Sequence, residues 1–217
     1  LGDQVSSSGS IDASGATGGG LVRIGGDYQG GNADLANASQ SAVSGTISAD
    51  ATANGDGGRV IIWADGVTTF TGNISAIGSG AGNGGFAEVS GKSILDFDGL
   101  VDLTSTNGET GSLLLDPSNV SISSSADSSI TGDPNFSPAG SPATSVIQLS
   151  TLNTALASSN VTITTTSGAT ERGDVTISGA IQPVGDTANN NLTITADGSI
   201  NMYSGSIDLN NGSLALT

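Results

Sequence analysis

Three glycines, Gly45, Gly72 and Gly99, stand 27 residues apart, and the residues around them repeat in step. Two positions before each glycine comes Val43, Phe70 or Phe97. Two after comes Ile47, Ile74 or Val101, four after comes Ala49, Ala76 or Leu103, and twelve after comes Gly57, Gly84 or Gly111. A fixed period of this length marks a repeat architecture. Within each unit apolar and polar residues alternate, as in Thr46-Ile47-Ser48-Ala49-Asp50, which is the strand period of two. Gly-rich runs such as Asn54-Gly55-Asp56-Gly57-Gly58 separate one strand from the next. A unit of short strands cannot bury its apolar face alone, but it can when stacked in parallel on its neighbours. The pattern predicts an all-β, right-handed parallel β-helix. Ile47, Ile74 and Val101 should form one inward ladder, and Val43, Phe70 and Phe97 another.

The same pattern extends along the chain. Gly9-Ser-Ile11-Asp-Ala13 and Gly18-Gly-Gly-Leu-Val22-Arg-Ile24 make an earlier unit. From Gly9 to Gly45 is 36 residues, and the excess lies in a polar loop at 25–40. A loop leaving a rigid scaffold is where binding concentrates, but the reading composition favours is a solvated excursion that touches nothing. After Asn119-Val-Ser-Ile122 the register breaks. Residues 123–145, with Pro134, Pro138 and Pro142, read as a second long loop. A short helix follows near 150–158, with Ser150 as N-cap and an apolar face of Leu149, Leu152, Ala155 and Leu156. Strands resume at Asn160-Val-Thr-Ile163 and continue, at tighter and less even spacing, to Leu214-Ala-Leu216. One continuous solenoid of roughly eight coils is expected: regular repeats over 1–122, loop and helix over 123–158, further coils over 159–217. The chain starts at Leu1 and stops inside a strand-like run, which reads as an internal fragment of something longer.

Composition excludes several roles. Aromatics make up only 3% of the 217 residues, too few for a globular core but enough for a thin column of Ile, Val, Leu and Ala. Lys and Arg number 4 against 20 Asp and Glu, a net charge of −16, and Arg23, Arg59, Lys92 and Arg172 are scattered. Nucleic acid and anionic membrane surfaces are therefore poor partners. No run is long enough to insert in a membrane as a helix. With no Cys and no His, thiol chemistry is absent and acid–base machinery is thin.

Ordered motifs carry a resemblance. Gly57-Gly-Arg-Val-Ile-Ile-Trp63-Ala is followed by Phe70-Thr-Gly72 and Gly84-Gly-Phe86-Ala-Glu-Val89-Ser-Gly91. Next come Gly111-Ser-Leu-Leu-Leu-Asp-Pro117-Ser-Asn-Val-Ser-Ile122 and Leu149-Ser-Thr-Leu-Asn-Thr-Ala-Leu156. This succession, over nearly the whole chain, resembles the filamentous-haemagglutinin-type exoproteins, large adhesins of bacterial two-partner secretion. The resemblance implies a right-handed β-helix of Gram-negative origin, exported by an outer-membrane secretion partner through a domain outside this segment. It also implies a place in the secreted or cell-surface adhesin, with a host-cell glycan or protein receptor as partner. It carries over no catalytic, cofactor or metal residue.

Some residues could carry chemistry of their own. A β-helix can also host polysaccharide lyases and hydrolases. Facing carboxylates for such work could come from Asp96, Asp98 and Asp102, or from Asp12 and Asp50, but outward acids also simply keep a solenoid soluble. Asn54 to Gly58 resembles a fragment of a calcium-binding turn, on the wrong period. Trp63, Tyr28 and Tyr203 could stack on sugars if exposed, while Trp63 at the end of an apolar strand reads more naturally as a strand-flank or core residue. Seven N-x-S/T sequons, at Asn37, Asn73, Asn119, Asn135, Asn160, Asn191 and Asn211, are glycosylation candidates. The expected function is a non-enzymatic rod that presents loops 25–40 and 123–145 for attachment. A carbohydrate-active enzyme and a stalk for a distal toxin are the alternatives.

Overall fold

The computed structural model describes residues 3–125, 130–131, 137–138, 143–168, 171–185 and 189–217. Strands come in threes through the first half of the chain. The first unit has β1 (Gln4–Ser7), β2 (Ser10–Asp12) and β3 (Leu21–Ile24), and the second has β4 (Gln40–Val43), β5 (Thr46–Ser48) and β6 (Arg59–Ala64). The third has β7 (Val67–Phe70), β8 (Asn73–Ser75) and β9 (Phe86–Gly91), and the fourth has β10 (Ile94–Phe97), β11 (Leu100–Asp102) and β12 (Ser112–Leu115). Then follow β13 (Val120–Ser123), β14 (Ile130–Thr131), β15 (Ser137–Pro138), β16 (Ser145–Gln148) and the helix α1 (Leu149–Ser158). The chain closes with β17 (Asn160–Thr165), β18 (Val175–Ser178), β19 (Leu192–Ala196), β20 (Ile200–Ser204) and β21 (Leu214–Leu216).

Each strand of the first four units pairs in parallel with its counterpart in the next. The sheets run β1-β4-β7-β10, β2-β5-β8-β11, and β3-β6-β9-β12-β17-β19-β21. Registers align like with like: Val43 with Phe70 with Phe97, and Ile47 with Ile74 with Val101. All six side chains are buried, and the Phe70 and Phe97 rings stack at 5.8 Å. Both ladders expected from the repeat are therefore present. Burial of each phenyl ring contributes about 2–3 kcal/mol. A third column runs Val22, Val60, Ala87, Leu113, Val161, Leu192 along the longest sheet.

Two devices hold the units in register beside the ladders. Each side loop is pinched at its neck: Gly20 N–H donates to Ala13 O (2.8 Å), Gly58 to Ala49 (2.7 Å), Gly85 to Ala76 (2.8 Å) and Gly111 to Leu103 (2.7 Å). At Gly84 a Cβ would run into the Leu103 carbonyl, so the neck admits no side chain there. Between units, side-chain oxygens accept the next unit's N–H groups. Asp50 Oδ1 takes Ile77 N–H (2.7 Å), Asn54 Oδ1 takes Ala81 N–H (3.0 Å), Asp56 Oδ1 takes Asn83 N–H (2.7 Å) and Asn83 Oδ1 takes Glu109 N–H (2.9 Å).

After β12 the order departs from simple succession. β13 pairs with β16 on one side and β18 on the other, and β20 follows β18. β16 lies between β13 and β10, where Leu95 N–H donates to the Ser145 hydroxyl (2.9 Å). The chain thus lays down β13 and returns to insert β16 behind it. A parallel return needs a long crossover, which accounts for the length of the segment expected as loop 123–145. Within it β14 and β15 pair antiparallel, and residues 126–129, 132–136 and 139–142 lie outside the described residues.

α1 forms where expected but without the expected cap. Gln148, extended at φ −67°, ψ 138°, precedes the helix and makes no side-chain cap bond, and Ser150 sits inside the first turn. β16 leads into the helix without a linker, leaving no free N-cap position for Ser150. Thr151, Leu152, Ala155 and Leu156 are its buried residues. The helix stands beside β11, with Leu103 N–H on Ser158 O (3.1 Å) and Ser158 Oγ on Val101 O (2.7 Å).

Candidate functional site

The longest sheet has an outer face that ought to be polar, yet part of it is apolar. On β6, Val60 and Ile62 belong to the inner core, so Ile61 and Trp63 point the other way. Registers place Ile61 beside Glu88 and Glu88 beside Leu114, and Trp63 beside Ser90. Ile61, Trp63, Glu88 and Leu114 are nonetheless buried, and the 25–39 loop lies over β6 and reaches Glu88. The loop is no solvated excursion. A short 3-10 turn, Tyr28–Gly30, lands on this face. The Arg59 guanidinium lies over both the Tyr28 ring (4.8 Å) and the Phe86 ring (4.3 Å), which meet edge to face at 5.9 Å. Arg23 Nε meets Asp27 Oδ1 at 3.2 Å where the loop begins.

Gln29, in the left-handed region at φ 51°, is the contact that organises the site. Its backbone N–H donates to both Glu88 carboxylate oxygens at 3.1 Å, and its side-chain Nε2 donates to Asp116 Oδ2 at 3.2 Å. Glu88 is 0% exposed, and burial pushes its carboxyl up to about 7, opposed by the Gln29 hydrogen bond and by Arg59 and reinforced by Asp116. Burial also raises Asp116 above the usual carboxylate range. Neither acid stands out in the sequence. A signal was there: Val60-Ile61-Ile62-Trp63 and Leu113-Leu114-Leu115 break the alternation, which means strands buried on both faces.

Loop and strand leave between them a cleft of about 410 Å³, lined by Gln29, Asn37, Trp63, Asp65, Lys92 and Asp116 among others. Asn37 Nδ2 donates to Gly30 O (3.1 Å) and Asp65 Oδ1 (3.0 Å), and Trp63 Nε1 donates to the same Asp65 oxygen (3.1 Å). Gly25, at φ +79°, leaves no room for a side chain, because a Cβ would collide with Ser41 Oγ and the Trp63 carbonyl. Gly25→Ala should cost about 2 kcal/mol or more and shift the emission of Trp63, the single tryptophan, to the red. A variant with wild-type emission and unfolding midpoint would refute this packing.

The residues proposed from sequence scatter. Asp98 Oδ1 accepts from Thr151 Oγ1 (3.0 Å), Asp102 Oδ1 from Thr104 N–H and Oγ1 (3.0 and 2.7 Å), and Asp12 Oδ1 from Ser14 N–H (2.9 Å). Asp96 sits on β10 and Asp50 in the inter-unit bonds above. Asn54 and Asp56 also spend Oδ1 on those bonds, and among the described residues no group of three or more acids is placed to hold a metal ion. Trp63, 4% exposed, is a packed side chain of the covered face, while Tyr28 and Tyr203 are exposed. Of the sequons, Asn119 is buried, with Nδ2 on Ala143 O (3.0 Å) and Oδ1 taking Asp174 N–H (2.9 Å). Asn37, Asn160, Asn191 and Asn211 each donate through Nδ2 to protein acceptors, whereas Asn73 is exposed and Asn135 lies outside the described residues.

No protein-family profile matches the chain, and no curated protein matches it. Among the described residues, no helix is long and apolar enough to cross a membrane.

Proposed function

We propose that this chain is a right-handed parallel β-helical segment of a filamentous-haemagglutinin-type exoprotein, a large bacterial adhesin exported by two-partner secretion. It acts without catalysis as a rigid rod, outside the cell or on its surface, holding a polar face toward host-cell glycan or protein receptors. The observation that carries this reading is the in-register parallel pairing of like strands 27 residues apart, with side chains stacked in columns. Ladder hydrogen bonds and Oδ1 contacts between units give stiffness along the stack. Outward Ser, Thr, Asn and Asp supply a wettable contact surface, and the net charge of −16 disfavours nucleic acid as partner.

The enzymatic alternative draws on Glu88 and Asp116, a carboxylate pair that burial raises at both members. Glu88 has no exposed surface and both oxygens take the Gln29 N–H, so a substrate would need the loop displaced. The test is binding of the purified chain to host-cell surfaces and a glycan array, with depolymerisation followed in the same samples. Saturable binding without turnover is the expected result. Turnover lost in Glu88→Gln would replace this reading with the enzyme, and neither binding nor turnover would reduce the segment to a stalk.

A further inference from the structure

We propose that the segment 143–158, comprising β16 and α1, is a tie on which β13 and the strands stacked on it depend, so that β13 and β18 open and close with this segment as a unit separate from the first half of the chain. In their sheet the order runs β16-β13-β18-β20, and β16 is the strand that lies next to β10. β13 comes before β16 in the chain, yet β16 holds it a strand's width, about 4.8 Å, beyond hydrogen-bonding reach of β10. Without β16, the edge of β13 that faces the first half has no ladder partner. The longest sheet crosses the same level without interruption, because β12 pairs directly with β17, so its strands have a support that β13 lacks.

The segment is fastened on both sides. Toward the first half, Leu95 N–H donates to Ser145 Oγ (2.9 Å), Thr151 Oγ1 to Asp98 Oδ1 (3.0 Å), Ser158 Oγ to Val101 O (2.7 Å) and Leu103 N–H to Ser158 O (3.1 Å). Toward the second half, β16 pairs with β13 from Val120–Ser145 to Ser123–Gln148, Gln182 N–H donates to Asn153 Oδ1 (2.8 Å), and Asn190 Nδ2 to Leu156 O (2.9 Å). Asn119, buried just ahead of β13, gathers three strands. Its Nδ2 donates to Ala143 O (3.0 Å), its carbonyl accepts Ser145 N–H (2.9 Å), and its Oδ1 accepts Asp174 N–H ahead of β18 (2.9 Å). Ile147 is buried in the common core, in register with Ile122, which is itself in register with Ile177. In a chain made N-terminus first, β13 is complete before β16 exists and has no edge to join, so folding past β12 in this sheet waits for β16.

The test is native-state hydrogen exchange of the whole chain, read by mass spectrometry in urea below the unfolding transition. Ile147→Ala takes core volume out of β16 and should speed exchange in β13 and β18 on the order of 100-fold, leaving β6 and β9 at wild-type rates. Ser145→Ala is milder: it orphans the Leu95 N–H and should speed the same strands about tenfold. If Ile147→Ala does not fold, Ser145→Ala alone decides. Wild-type exchange in β13 when β16 is weakened would overturn the assignment, because β13 would then stand without the tie. Equal acceleration in β6 and β9 would overturn it as well, by making the chain one cooperative unit. No receptor enters this measurement. A negative result here leaves the adhesive reading standing, and failure of cell binding leaves the tie untouched.

Discussion

Ile74→Asp should leave the chain unfolded at room temperature. Ile74 is buried in the middle of a ladder, in register with Ile47 on one side and Val101 on the other. A carboxylate there meets only apolar neighbours in the column, and burying an unpaired charge is among the few single changes that cost more than about 4 kcal/mol. The control must sit on the same sheet and face outward. Ser75 looks suitable from the alternation, and on that basis Ser75→Asp is expected to be tolerated. Its hydroxyl, however, donates to Asp50 Oδ1 at 2.6 Å, so an acid at 75 would confront another acid. Leu100, 56% exposed, is the better choice, and Leu100→Asp should keep the wild-type fold within about 0.5 kcal/mol. Circular dichroism and urea titration of the two variants decide the matter. Equal stability of both would refute the inward assignment of the ladder.

The second large effect is a dependence of stability on pH. Glu88 titrates at about 7 in the folded chain, above its ordinary value of 4.5. The folded state therefore holds this proton more tightly than the unfolded state does. Stability is greatest below about pH 4.5 with respect to this group, falls as pH rises through 7, and levels off above. The loss is about 3 kcal/mol at most. Glu88→Gln keeps an oxygen for the Gln29 N–H and removes the charge. It should be more stable than wild type at pH 8, and its slope between about pH 5 and pH 8 should shrink to the remainder from Asp116, whose carboxyl is raised for the same reason. Urea midpoints measured across that range give the answer. An unchanged slope in Glu88→Gln would assign the titration to another group.

The parts of the fold legible in the sequence are those set by local period. Val43, Phe70 and Phe97 can be paired from spacing alone, because an identical interval recurs and side chains on a strand alternate faces. The position of β16 is not legible in that way. Its place between β10 and β13 depends on a crossover whose length the sequence shows but whose destination it does not. The site is harder still. Glu88 looks like an ordinary outward acid within Phe86-Ala-Glu-Val-Ser-Gly, and it is buried by a residue 59 positions earlier. Only the apolar residues beside it on the outward rows, Ile61 and Leu114, hint that something covers that face. The polar composition of 25–40 suggests solvent, whereas its glycines serve close packing on Trp63.

The side-chain oxygens that join successive units have a consequence for how such a chain can change over time. The bond needs one Oδ1 and nothing more, and Asn and Asp both offer it: Asp50 and Asp56 use it just as Asn54 and Asn83 do. Exchange between the two types at these positions alters the electrostatic field of the surface while preserving the joint. At these four positions charge can therefore change without renegotiating the architecture. The field around the molecule can be retuned on a scaffold that stays the same.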